Sequence, residues 1–234
     1  MPTTDSDSVS VAPVPSAAPA VFAGAVVARA AIGSLDVGLA DCAGWGSLHA
    51  DEQAWAADHA PRRAREFVAG RVALRAALSA AGFDGQAPCV PGEQGRPHLP
   101  AGFTASITHK DGAALAIARR GASRTLGIDS EVVGPRERLA IAAKVLTAGE
   151  RLRWDGAWST LLERFSLKEA IYKALHPHVP RYIGFDEADI ADDRTIKMTL
   201  RGGEGPFSLV GWWWWEGPPG TSRRLVSICE ARPA

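Results

Sequence analysis

A mixed α/β fold of the α+β kind is predicted from three features of the 234-residue sequence. The segment from Pro61 to about Ala81 carries apolar side chains at Phe67, Val68, Val72, Leu74 and Leu78. With proline in its first turn and Gly82 after its end, it has the pattern of a helix. Two short runs, 104–109 and 113–118, flank Asp111-Gly112 and read as a hairpin. The C-terminal part returns to strands: 195–201 alternates polar and apolar side chains, while 207–215 and 224–231 are longer apolar runs around a turn at Gly217 to Gly220.

The other elements fall between these. Residues 1–20 are mostly Pro, Ala, Ser, Thr and Val, a composition that buries too little to offset its ordering entropy, so a disordered tail is expected. Gln86 to Gly102 is rich in Pro and Gly and should form a loop. A strand over 124–132 follows the turn residues Gly121 and Ser123, and helical patterns run over 135–146 and from about 157 to 175. A faint repeat appears at a shift of 98 residues, which lays Leu48, Ala50, Glu52, Phe67 and Ala76 on Leu146, Ala148, Glu150, Phe165 and Ala174, and Arg75 on Lys173. Duplication and chance in an alanine-rich chain both remain open; duplication would imply two similar lobes with a ligand cleft between them.

Composition narrows the function. Lys plus Arg and Asp plus Glu each number 26, so no global positive field attracts nucleic acid, and an anion site must be a local cluster. The apolar stretch Ala18 to Ala28 is too short to span a bilayer, and Asp5 and Asp7 stand where a secretory leader carries basic residues. A cytoplasmic protein without a membrane partner is expected. Cys42, Cys89 and Cys229 are odd in number and far apart, which favours reduced, buried thiols over a zinc site.

Strand alternation within Leu126-Gly-Ile-Asp-Ser-Glu131 puts Gly127, Asp129 and Glu131 on one face. Carboxylates two residues apart have Cβ atoms about 6–7 Å apart, a gap that a hard cation bridges, and Gly127 would leave open space beside them. Magnesium suits such a pair because it completes its shell with water and phosphate oxygens. Two solvated acids on an edge strand is the plainer alternative. In the helical segment from Phe165 to Lys173, Glu169 and Lys173 lie one turn apart, an ordinary surface pair unless Lys168 joins them in a polyphosphate site.

Arg63, Phe67, Arg71 and Arg75 recur one turn apart on the early helix, with Gly70 among them where a ligand or backbone approaches closely. Arg63 and Arg71 are candidates for phosphate contacts; a solvated helix face is the alternative. His109 would donate to a phosphate or cap a loop. Trp212 to Trp215 alternate faces of a strand, so burial under helices on both sides explains them, with a partner-docking surface as the second reading.

Taken together these segments resemble the 4'-phosphopantetheinyl transferase superfamily, in its two-lobed monomeric type serving siderophore, nonribosomal peptide and polyketide synthases. Arg62 to Arg71 looks like the family's arginine-rich helix, and Gly95-Arg-Pro-His-Leu-Pro100 with Ser106 to Lys110 like its loop-and-histidine segment. Gly127 to Glu131 matches G-[IV]-D-x-E, and Phe165 to Lys173 matches [FW]-[SCT]-x-K-E-[AS]-x-x-K. Thr147 to Glu150 sits where the family has Thr-x-x-Glu, and Gly184 and Phe185 extend the match. Lys110 departs from it, since a small residue commonly follows the histidine.

The resemblance implies two pseudo-twofold-related lobes, 21–122 and 123–234, each a small sheet packed with a long helix, with coenzyme A in a cleft between them. It implies transfer of 4'-phosphopantetheine from coenzyme A to a serine of an apo carrier protein, with 3',5'-ADP released. Asp129, Glu131 and Glu169 would hold Mg2+, with Asp129, Glu169 and Lys173 as the catalytic set. Lys168 and Lys173 would contact the pyrophosphate; Arg63, Arg71, Arg96, Thr108 and His109 would surround the 3'-phosphate and adenine. Glu169 or a metal-bound hydroxide would take the serine proton. Two other classes are weighed against this. A D-x-E-x-K nuclease would want lysine at position 133, where the chain has valine, and a non-catalytic docking module would not need three acids and two lysines together.

Overall fold

A computed structural model describes residues 9–92, 95–133, 137–218 and 222–234. The first eight residues of the expected tail, the expected helix start at Pro135 and the turn at Pro219-Gly220 lie outside these. The chain forms two compact units, one up to Ala17 and over Phe22–Ala122, the other over Ala18–Val21 and Ser123–Ala234. Both are mixed α and β, and each sheet is antiparallel.

In the first unit the strands β1 (Ser10–Pro13), β2 (Val26–Ala31), β3 (Phe103–Lys110) and β4 (Ala113–Arg120) form a sheet in the order β1-β2-β4-β3. β3 and β4 are the expected hairpin, with Asp111 and Gly112 both at positive φ, as such a tight connection requires. Helix α1 (Ala50–Ala57) precedes α2 (Pro61–Ala80), which starts on Pro61 at its first turn and buries Phe67, Val68, Val72, Leu74 and Leu78. The expected disorder over residues 1–20 is corrected for Ser10–Pro13, which pairs with β2 from Ser10↔Arg29 to Pro13↔Val26. All four residues of this strand are exposed, so its order comes from main-chain pairing on a sheet edge rather than from apolar burial.

In the second unit β5 (Thr125–Val132), β8 (Phe207–Glu216) and β9 (Arg224–Pro233) form a sheet in the order β5-β9-β8. Helices α3 (Ala142–Val145) and α4 (Ala148–Arg153) lead to α5 (Trp158–Leu175), whose Leu167, Ala170, Ile171 and Ala174 pack in one core with Leu225 and Cys229 of β9. The helix expected to 146 is shorter, because Leu139–Ile141 is a 3-10 turn before α3. The run expected as one strand over 195–201 forms β7 (Ile196–Met198), which among the described residues pairs with β6 (Ala188–Ile190) in a two-stranded sheet. Trp213 is buried and its three neighbours are half-buried; the Arg194 guanidinium stacks over Trp212 and Trp213 at 3.8 and 4.0 Å. Cations therefore cover part of the tryptophan run where helices on both sides were expected.

The 98-residue repeat corresponds to one construction made twice. His49 caps α1 and Thr147 caps α4, and in each case a glutamate three residues on, Glu52 or Glu150, accepts the cap's own amide in a capping box. Both glutamates are buried, and each gives its second oxygen to a later amide, Cys89 N for Glu52 and Ile190 N for Glu150, both at 2.9 Å. A cation from the unit's long helix completes each set, Arg75 at 3.0 Å on Glu52 and Lys168 at 2.6 Å on Glu150; here the correspondence leaves the shift of 98, which lays Arg75 on Lys173. Among the described residues no helix is long and apolar enough to cross a membrane.

Candidate active site

The acidic cluster is built by one close approach. A Cβ on Gly127 would overlap the Ala170 carbonyl oxygen and come within 2.7 Å of the Ala174 amide nitrogen, so only glycine lets α5 lie this near β5. The open space expected beside Gly127 is therefore filled by the α5 backbone. Ser166, Glu169 and Lys173 recur at i, i+3 and i+7, on one side of the helix. Asp129 and Glu131 share the face of β5 that Gly127 turns to α5.

The side chains meet across this contact. Ser166 donates through Oγ to Asp129 Oδ2 at 2.9 Å, and Lys173 donates through Nζ to Asp129 Oδ1 and to the Ile128 carbonyl, each at 2.9 Å. Asp129 is buried, whereas the Lys173 side chain keeps a quarter of its surface. Burial first, and then the Asp129 carboxylate, push the Glu169 pKa above its ordinary value; Lys173 opposes them and Glu131 adds to them. Asp129, Glu131, Glu169 and Lys173 are thus brought into one electrostatic group.

Among the described residues no three His, Cys, Asp or Glu side chains close into a metal-binding group. The donor set nevertheless fits a hard divalent cation: all three acids offer oxygen, and a cation offsets the Asp129 and Glu131 charges that add to burial in raising Glu169.

Lys168 is placed differently from the expectation. It is 3% exposed and donates to the Val145 carbonyl at 2.7 Å, Glu150 Oε2 at 2.6 Å and the Phe185 carbonyl at 2.9 Å. An ammonium has three donors, and all three are committed, leaving none for a pyrophosphate. The reason is helical geometry: adjacent residues diverge by about 100°, so Lys168 cannot share a face with Glu169. Burial lowers its pKa and the bond to Glu150 opposes that fall. It acts as a strut that ties α5 to the cap of α4.

In the first unit, Arg63 lies 5.7 Å over the Trp55 ring and 3.9 Å from Glu66, and His109 Nε2 lies 3.2 Å from the same carboxylate. Arg62, Arg65, Glu66, His109 and Lys110 line one surface pocket. Arg71 is buried with its guanidinium 4.3 Å over Phe67, and its Nε has no hydrogen-bond partner among the described residues. Burial lowers its pKa to about 10, with Glu52 opposing. Gly70 approaches the Ile107 side chain of β3, at 3.3 Å from a notional Cβ, so helix-to-sheet packing accounts for it. Strand alternation turns Thr108 to the face of β3 away from Ile107 and α2, so it does not join Arg63 and His109. Arg96 is exposed in the loop before β3. Glu66, Ser166 and the anchoring role of Glu150 were not foreseen; the spacing of Glu66 from Arg62 and Arg63, four and three residues, was a legible signal.

Residues 51–119 match the 4'-phosphopantetheinyl transferase N-terminal domain, and residues 125–222 match the 4'-phosphopantetheinyl transferase superfamily. The chain is similar to three curated proteins named 4'-phosphopantetheinyl transferase. With Svp of Streptomyces mobaraensis it shares 37% identity over 155 residues, 62% of this chain and 61% of that protein. With PptT of Mycobacterium tuberculosis it shares 31% over 172 residues, 70% and 73% of the two chains. With Npt of Nocardia iowensis it shares 36% over 148 residues, 61% and 65%. The match therefore spans less than two thirds of Svp and Npt and nearly three quarters of PptT. With both parts matched in order and the acidic cluster assembled between β5 and α5, the chain belongs to the 4'-phosphopantetheinyl transferase superfamily.

Proposed function

We propose that this protein transfers the 4'-phosphopantetheine group of coenzyme A to a serine of an apo carrier protein and releases 3',5'-ADP. The observation that carries the reading is Asp129 held between Ser166 and Lys173 beside Glu169, in a chain of this superfamily. Asp129, Glu131 and Glu169 would hold Mg2+, which when bound supplies charge neutralisation to the pyrophosphate. In the reaction the serine oxygen attacks the β-phosphorus, the bond to the bridging oxygen breaks, and 3',5'-ADP departs with the electron pair. Glu169, whose carboxylate is pushed above its ordinary pKa by burial and Asp129, is the residue of this group that would take the hydroxyl proton, the alternative acceptor being a hydroxide on the metal. Lys173 offers its ammonium to the leaving phosphate.

Arg63, Arg71, Arg96 and His109 are assigned to the adenine and 3'-phosphate end; the expected contribution of Thr108 would have to come from the opposite face of β3, where it is buried. The orphaned Nε of Arg71 supports this, since a buried guanidinium donor left without an acceptor suits an anionic ligand. The same reading takes the protein as a cytoplasmic monomer; its three unpaired, buried cysteines suit a reducing compartment. The deciding test is incubation with coenzyme A, Mg2+ and an apo carrier, followed by intact mass. A gain of the phosphopantetheine mass is expected, and its absence across peptidyl, polyketide and fatty-acid carriers would refute the assignment.

A further inference from the structure

Glu66 is the acid that two arginines and a histidine surround, in a pocket whose other lining acid is Asp111. Its carboxylate lies 3.1 Å from Arg62 Nε, 3.9 Å from Arg63 Nη1 and 3.2 Å from His109 Nε2. It is also the most enclosed member, with 16% of its side chain exposed against 86% for Arg62, 47% for Arg63 and 38% for His109. Arg62, Glu66 and His109 line the same open pocket with Lys110. A carboxylate that gathers two arginines and a histidine at the wall of a pocket occupies the place that an incoming anion needs. An anion bound by the same donors must displace it or sit beside it, and a like charge at such distance weakens binding.

We infer that Glu66 is a built-in competitor for the phosphate of the ligand, setting the affinity of this site for 3'-phosphorylated nucleotides. The inference rests on the proposed assignment of coenzyme A to Arg63 and His109. In the empty protein Glu66 keeps Arg62, Arg63 and His109 gathered and offsets the charge of the two arginines. Once a phosphate arrives, Glu66 loses those bonds and repels the dianion, so both coenzyme A and the product 3',5'-ADP are held less tightly than Arg62, Arg63 and His109 alone would hold them. The balance favours release of a product that carries the same 3'-phosphate as the substrate.

The experiment is calorimetric titration of the full chain and its Glu66→Gln variant with coenzyme A, dephospho-coenzyme A and adenosine 3',5'-bisphosphate. Glutamine keeps the shape and removes the charge. The variant is expected to bind the two 3'-phosphorylated ligands about tenfold tighter, the order of effect of removing one partly screened like charge, with dephospho-coenzyme A unchanged. Equal or weaker binding of the 3'-phosphorylated ligands would overturn the inference and make Glu66 a support for its arginines. A wild-type protein that binds coenzyme A and dephospho-coenzyme A equally would remove the underlying phosphate assignment and the inference with it. Should Glu66→Gln fail to give a cooperative melt, Glu66→Ala is titrated in its place, with the same outcomes.

Discussion

Gly127 and Ala170 touch backbone to backbone: a side chain on Gly127 would collide with the Ala170 carbonyl and lie 2.7 Å from the Ala174 amide. This contact between β5 and α5 puts Ser166 and Lys173 within 2.9 Å of Asp129, so the packing of the second unit and the assembly of its acidic cluster are one feature. Gly127→Ala must push the helix off the sheet. A destabilisation of about 3 kcal/mol or more is expected, the scale of severe core overpacking, together with loss of transfer. Urea unfolding measures the first, and a wild-type midpoint would contradict the close approach.

Asp129 and Glu169 should behave in the opposite way. Asp129→Ala and Glu169→Ala are expected to reduce transfer at least about a hundredfold while keeping a cooperative melt, because each change removes charge that the reaction uses. Full activity in either, read by intact mass of the carrier, would contradict their assigned roles. Lys173→Ala is expected to lower the turnover rate more than it alters the KM for coenzyme A, which steady-state kinetics resolves.

Lys168 and Glu150 form a buried pair, each 3% exposed and 2.6 Å apart. Removing one partner strands the other, so Lys168→Met or Glu150→Leu alone should cost about 3–5 kcal/mol. The double variant should be more stable than the sum of the singles predicts, and a double-mutant cycle in urea gives the coupling directly. Additive losses would mean that the two side chains act independently.

Arg181 clamps Glu187 and Glu204 at 2.6 Å each. The hydrogen bond from Arg181 is the largest influence on Glu187 and holds its carboxyl below the ordinary 4.5. A depressed folded pKa means that the stability from this contact is complete above the unfolded value and disappears as pH falls through the folded one. The melting midpoint of Arg181→Met should therefore lie below wild type at pH 7, and the gap should narrow on acidification below about pH 4. A gap that does not change with pH would show that the arginine contributes through packing alone.

Local patterns carried the elements whose cause is local. Pro61 and the apolar positions of α2, Asp111-Gly112 in the hairpin, and the alternation that pairs Asp129 with Glu131 all follow from rules that reach only a few residues. The same rules fail where a distant partner decides. β1 has four exposed residues, Val11 among them, yet it is ordered because β2 offers main-chain hydrogen bonds. Lys168 and Lys173 look alike along the chain, but the first reaches Glu150 and two carbonyls, while the second turns to Asp129.

Read along the chain alone, the residues fixed the chemical character of the site: three acids and a lysine spaced for one strand face and one helix side, and an arginine-rich helix. Tertiary structure decided which of these meet. Gly127 was legible as a small residue but not as the point where α5 touches β5, and Glu66 was legible as a neighbour of two arginines but not as a partner of His109, which lies 43 positions further on (109 − 66). Spacing rules of period two and 3.6 set which side chains share a face of their own element. Which faces then come together depends on close packing between segments far apart in the chain, where a missing Cβ or one committed ammonium changes the outcome.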